Sequence, residues 1–142
     1  MESDASLWGG AYLLYLIRHG RAEMLVGASQ WPWPLVSSPP LSMFHLEMAA
    51  ALRGLAMAQQ LQKRSMGTLG LPTAVELLCD NQGCVHCFGG NWGSRSVLAD
   101  QWLLKATERL RGWALRPTWV PSELNRADTF TRGVSLGSLL LA

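Results

Sequence analysis

From Ala11 to Arg18 apolar side chains fall on both faces of an extended chain, with Tyr12, Leu14 and Leu16 on one and Leu13, Tyr15 and Ile17 on the other. Such a run predicts a strand buried on both sides. His19-Gly20-Arg21 then supplies a hairpin turn, and Ala22 to Ala28 is expected to return beside it. A shorter strand around Asp4 leads into this pair through Gly9-Gly10. Trp31-Pro32-Trp33-Pro34 through Pro39-Pro40 breaks every regular period, because proline lacks an N–H and restricts the residue before it. This stretch is read as a loop.

Between Met43 and Arg64 the period changes to that of a helix, with Met48, Ala51, Leu52, Leu55 and Ala58 on one stripe. Glu47 lies one turn before Ala51, at the edge of that stripe; read alone, it is an ordinary early glutamate favoured by the helix dipole. Gly67 to Pro72 separates the helix from an apolar strand, Ala74 to Cys79, that ends at Asp80. Asn81 is placed to cap the helix that follows. An aspartate at the carboxyl end of a strand in an open α/β sheet lies where ligands bind, although Asp-Asn is also a common turn. After a break at Gly89 to Gly93, Ser94 or Ser96 caps a helix whose predicted stripe is Leu98, Trp102, Ala106 and Leu110. Trp113 to Val120 is the last strand, and Pro117 within it implies an edge position or a bulge. A terminal helix follows. The pattern predicts an α/β fold, a five-stranded mixed sheet with helices on its faces, in one domain over residues 1–133 with a tail at 134–142.

Composition agrees with one folded domain: 142 residues, 49% hydrophobic and only 15% charged, exclude a disordered chain. The formal charge of +2 permits contact with a polyanion without demanding it. No apolar run approaches the roughly 18 residues of a membrane span, and no basic segment precedes an apolar signal core. The protein is therefore expected inside the cell, away from membranes. The odd number of cysteines, three, argues against a secreted disulfide framework. Cys84-Val85-His86-Cys87 with Cys79 nearby offers only part of a zinc ligand set, so these are read as buried structural thiols. Among the tryptophans, Trp102 and Trp113 are read as packing residues, while Trp8, Trp31, Trp33 and Trp92 stay open between packing and base stacking.

The acidic residues change the picture. Ser3-Asp4-Ala5-Ser6 before Trp8-Gly9-Gly10, then Glu47 on its helix, then Asp80-Asn81, then Pro121-Ser122-Glu123-Leu124-Asn125-Arg126-Ala127-Asp128-Thr129-Phe130-Thr131-Arg132 form an ordered series. It resembles the ribonuclease H-like domain of retrotransposon reverse transcriptases, from residue 3 to about 133. Many cellular and retroviral members have a histidine before the final aspartate. This chain has Trp119-Val120-Pro121, which is similar to the retrotransposon form.

The resemblance implies an endonuclease that hydrolyses the RNA strand of RNA/DNA hybrids by two-metal catalysis, with Asp4, Glu47, Asp80 and Asp128 as catalytic residues and metal ligands. Clustered carboxylates repel unless a cation neutralises them, and hard oxygen donors suit two Mg2+ or Mn2+ ions. It further implies that Asp4 bridges both ions. Asn81, Arg95, Asn125 and Arg132 are the expected nucleic-acid contacts. Lys105, Arg109, Arg111 and Arg126 are further cations that suit either phosphate contact or solvated surface. The implied partners are an RNA/DNA hybrid and a reverse transcriptase polymerase domain. Only Met1-Glu2-Ser3 precede Asp4, so the first strand is expected to be truncated, in a piece of a larger reverse transcriptase or a decayed copy. The alternative function is a catalytically inactive domain of the same fold that binds nucleic acid or tethers a polymerase. An integrase-like transferase or an exonuclease fits less well, because their acids are spaced differently.

Overall fold

Alternation along β2 (Gly9–Arg18) creates the two apolar layers of the molecule. Tyr12 and Leu14 face the main core with Met48, Ala51 and Leu55, whereas Ala11 and Leu13 face a smaller core with Ala127 and Phe130. The computed structural model describes residues 1–18, 20–33, 42–64, 74–90 and 96–132. Beside β2 lie β1 (Glu2–Ala5) and β3 (Arg21–Pro32), both antiparallel to it. On the other side of β1, β4 (Ala74–Cys79) and β5 (Ala114–Trp119) continue the sheet in parallel, giving the order β3-β2-β1-β4-β5. The main layer of helices contains α1 (Met43–Arg64), α2 (Gln82–Phe88) and α3 (Val97–Arg109), and α4 (Ala127–Thr131) covers β1 and β2 through the smaller core.

Helix α1 lies close to the sheet because its buried face carries Ala50, Ala51 and Gly54. A Cβ at Gly54 would stand 2.7 Å from Met1 Sδ and 3.1 Å from Tyr12 Cβ, so only glycine allows this approach without a shift. Lys63 and Arg64 in the last turn suit the negative end of the helix dipole. Asn81 and Ser96 cap α2 and α3, accepting from Cys84 N at 3.0 Å and Ala99 N at 3.2 Å. Ser94, the other cap expected for α3, lies outside the described residues, as do Trp92, Arg95 and the tail.

Three expectations need correction. Trp31 and Pro32 belong to β3 and pair with Gly10 and Gly9, where a loop was expected. β3 is an edge strand, so a proline without an N–H is tolerated there. Trp31 packs on Tyr12 and under the Arg53 guanidinium, and Trp33 Nε1 donates to Ser6 O at 2.7 Å, so both are packing residues. Helix α3 is rotated from its predicted stripe: Ala99 and Leu103 are buried, while Leu98 is exposed. Finally, Met1-Glu2-Ser3 ahead of Asp4, expected to bring no apolar residue to the first strand, does bring one. Met1 is buried in the main core, its ammonium donates to Glu76 O at 2.7 Å, and its carbonyl accepts from Leu78 N at 2.8 Å.

Past that point the sheet has a gap. β2 continues through Leu14 to Arg18 and β4 starts at Ala74, yet among the described residues no strand lies between them there. An apolar cleft of about 110 Å³ occupies the place, lined by Leu14, Leu16, Val26, Ala58, Leu61 and Val75 among others. No helix among the described residues is long and apolar enough to cross a membrane.

Candidate active site

Parallel pairing puts the carboxyl ends of β1 and β4 side by side, and with them Asp4 and Asp80. Glu47 arrives from α1 on one face and Asp128 from α4 on the other. One carboxylate oxygen from each of Asp4, Asp80 and Asp128 lies within 4.8 Å of the others, and so do donor atoms of Glu47, Cys79 and Asp80. Asp80 is the member common to both groups. Asp4 nevertheless shares hydrogen bonds with both Asp128 and Glu47, so the four acids form one cluster.

Burial dominates the electrostatics. It pushes the Asp4 carboxyl from 3.8 up to about 8, with the Asp80 charge and a hydrogen bond shared with Asp128 adding to it. Glu47 is pushed from 4.5 up to about 11 by burial first, then by the charges of Asp4 and Asp80. Glu47 is 4% exposed, and its Oε2 has no hydrogen-bond partner among the described residues. An acceptor left in this state is costly, and a cation resolves both the orphaned oxygen and the mutual repulsion. An all-carboxylate set suits magnesium or manganese.

Neighbouring groups hold the acids in place. Thr131 Oγ1 donates to Asp4 Oδ2 at 3.0 Å, and Ser122 Oγ donates to Asp80 Oδ2 at 2.8 Å. At the end of β5, the Trp119 indole N–H donates to the Asp80 carbonyl at 3.1 Å while its ring stays 46% exposed. Ser122 and Trp119 were not legible as supports, because their partner is 39 to 42 residues away in sequence.

The expected nucleic-acid contacts divide. Asn125 is buried, with Nδ2 donating to Ser3 O at 2.8 Å and Oδ1 accepting from Ala127 N at 3.1 Å. It fastens α4 to β1, and both its amide atoms are engaged inside the protein rather than offered to nucleic acid. Asn81 uses its Oδ1 as the α2 cap. Arg132 is exposed, 3.4 Å from Asp128, while Lys105, Arg109 and Arg111 lie on the exposed surface in and just after α3. Arg126, considered as a phosphate contact, instead pairs with the buried Glu2 at 3.2 Å and stacks over Tyr15. Cys84 and Cys87 are buried while His86 is exposed, so the Cys-Val-His-Cys segment turns its thiols and its imidazole in different directions.

Two solved structures have this arrangement of chain. The N-terminal ribonuclease H domain of a Mycobacterium tuberculosis protein, determined as a fusion with maltose-binding protein, superimposes with a TM-score of 0.68 at 17% identity, covering 99% of this chain and 96% of that one. LC11 ribonuclease H1, in complex with an RNA/DNA hybrid, superimposes with a TM-score of 0.66 at 15% identity, covering 97% and 95%. No protein-family model matches the chain, and no curated protein matches it in sequence. The fold is ribonuclease H-like, a mixed five-stranded sheet with helices.

Proposed function

We propose that this chain is a metal-dependent ribonuclease H, an endonuclease that hydrolyses the RNA strand of RNA/DNA hybrids with two Mg2+ or Mn2+ ions. The observation that carries the reading is the convergence of Asp4, Glu47, Asp80 and Asp128 at one end of the sheet, with a buried Glu47 oxygen that the protein leaves unpaired. Asp4, Asp80 and Asp128 are the residues to hold one ion, and Glu47 with Asp80 the other. When bound, the metals supply charge neutralisation at the scissile phosphate and a more acidic attacking water.

The chain's own part is preorganisation. Thr131 and Ser122 fix one oxygen each of Asp4 and Asp80, and Asn125 keeps α4, with Asp128, against β1. Beside Asp80, the exposed Trp119 ring offers an apolar surface to a sugar or base, and Arg132 is available to a phosphate. Discrimination of hybrid from DNA duplex rests on the 2′-hydroxyls and the wider minor groove of the hybrid. An origin in a retroelement reverse transcriptase, with a polymerase domain as partner and an intracellular location, is part of the same proposal; it rests on the Trp119-Val120-Pro121 and Asn125-to-Arg132 resemblance.

The test is cleavage of a labelled RNA/DNA hybrid with Mg2+ or Mn2+, comparing the parent with Asp80→Asn. The parent should cut the RNA strand, and the variant should be slower by orders of magnitude with unchanged circular dichroism. Equal cleavage by both would remove Asp80 from the site. Tight hybrid binding by the parent without cleavage in either metal would favour the inactive binding module.

A further inference from the structure

Among the described residues Cys79 is the non-oxygen donor grouped with two of the carboxylates, and none of the proposed chemistry uses it. Its Sγ lies within 4.8 Å of carboxylate oxygens of Glu47 and Asp80, which are themselves within that distance of each other. Zinc holds oxygen at about 2.0 to 2.2 Å and thiolate sulfur at about 2.3 Å, so donors at tetrahedral angles around one ion stand roughly 3.3 to 3.7 Å apart. Drawing the three donors in to that spacing closes this set on a cation. A further observation points to a ligand. The Glu47 Oε2 is buried without a partner. Cys79 itself is fully buried, but Asp80 is only half-buried and gives a cation its way in.

We propose that Glu47, Cys79 and Asp80 form a site for a thiophilic divalent cation, Zn2+ or Cd2+, distinct in selectivity from the all-oxygen group of Asp4, Asp80 and Asp128. Soft sulfur ligation selects zinc-like ions, whereas magnesium and manganese favour oxygen donors. On binding, a metal–sulfur bond forms, the S–H bond breaks, and the proton leaves to solvent. Because Asp80 belongs to both groups, such an ion would compete with magnesium for it.

The probe is Cd2+ added to the full chain without substrate, read by its ultraviolet sulfur-to-metal charge-transfer absorption. The parent should develop the band with one equivalent of cadmium. Cys79→Ser should lose it, Cys87→Ser should keep it, and Glu47→Gln and Asp80→Asn should each weaken cadmium binding at least tenfold. Should Cys79→Ser fail to fold, the two carboxylate variants carry the test alone. A band absent from the parent, or unchanged when both carboxylates are altered, overturns the proposal. The outcome is separable from the nuclease reading: magnesium-dependent cleavage without a cadmium band would sink only this site, and a band without cleavage would sink only the nuclease.

Discussion

Asn125→Ala removes two buried hydrogen bonds at once and leaves their partners inside the protein. Nδ2 no longer donates to Ser3 O, and Oδ1 no longer accepts from Ala127 N; Ser3 and Ala127 are both 0% exposed, so water cannot replace the lost contacts without local opening. Each orphaned group costs about 1 to 3 kcal/mol, so the loss should be roughly 2 to 5 kcal/mol against a total stability of about 5 to 15. Asn125→Asp separates the two bonds. It keeps an acceptor for Ala127 N but turns a carboxylate oxygen towards the Ser3 carbonyl, so it should be at least as damaging at pH 8 and partly relieved in acid, where a protonated carboxyl can donate. Both variants should also loosen α4, which carries Asp128 and the Thr131 that holds Asp4. Urea unfolding at pH 8 and pH 5, with a magnesium titration of each variant, gives the readouts. An Asn125→Ala midpoint equal to that of the parent would refute the idea that this amide fastens α4 to the central strand.

Three further outcomes follow from the same geometry. In metal-free protein, folded Asp4 and Glu47 hold protons, at pKa about 8 and about 11, that the unfolded chain releases from near 3.8 and 4.5. The stability linked to them is thus full below about pH 4 and falls by up to about 1.4 kcal/mol per unit and per group as pH rises towards 8, Glu47 continuing beyond. Denaturant midpoints in chelator should drop from pH 5 to pH 8 and recover with magnesium mainly at pH 8; a flat profile would contradict the buried cluster. Ser122→Ala should cost only about 0.5 to 1.5 kcal/mol of stability. It should nevertheless raise the magnesium needed for half-maximal cleavage severalfold, because Asp80 loses the hydroxyl that donates to its Oδ2; an unchanged requirement would show that the hydroxyl does not position Asp80. Adding four β-branched residues ahead of Met1, in line with β1, should fill the cleft between β2 and β4 and raise the urea midpoint, whereas a glycine-serine extension should not. Equal midpoints for the two extensions would show that the gap does not limit stability.

The sequence alone determined those features whose causes are local. The bounds of α1 followed from a helical stripe ending in Lys63 and Arg64, and the end of β4 from an apolar run stopped by Asp80-Asn81. Pro117 limited β5 to an edge position or a bulge, because a missing N–H is a property of the residue itself, and β5 is an edge strand. The order of the four acids was legible for the same reason: each sits in its own short motif. What only the tertiary structure decided depends on partners far away in the chain. Asn125 and Ser3 are 122 residues apart, Arg126 and Glu2 are 124 apart, and no local pattern distinguishes an amide or guanidinium held inside from one offered to phosphate. Trp31 and Pro32 read locally as chain breakers, but an edge position in the sheet made them strand. Cys79 read as one more buried thiol until the packing of α1 on β1 and β2 brought Glu47 beside it, since which donors share a cation is set by three-dimensional distance rather than by chain order.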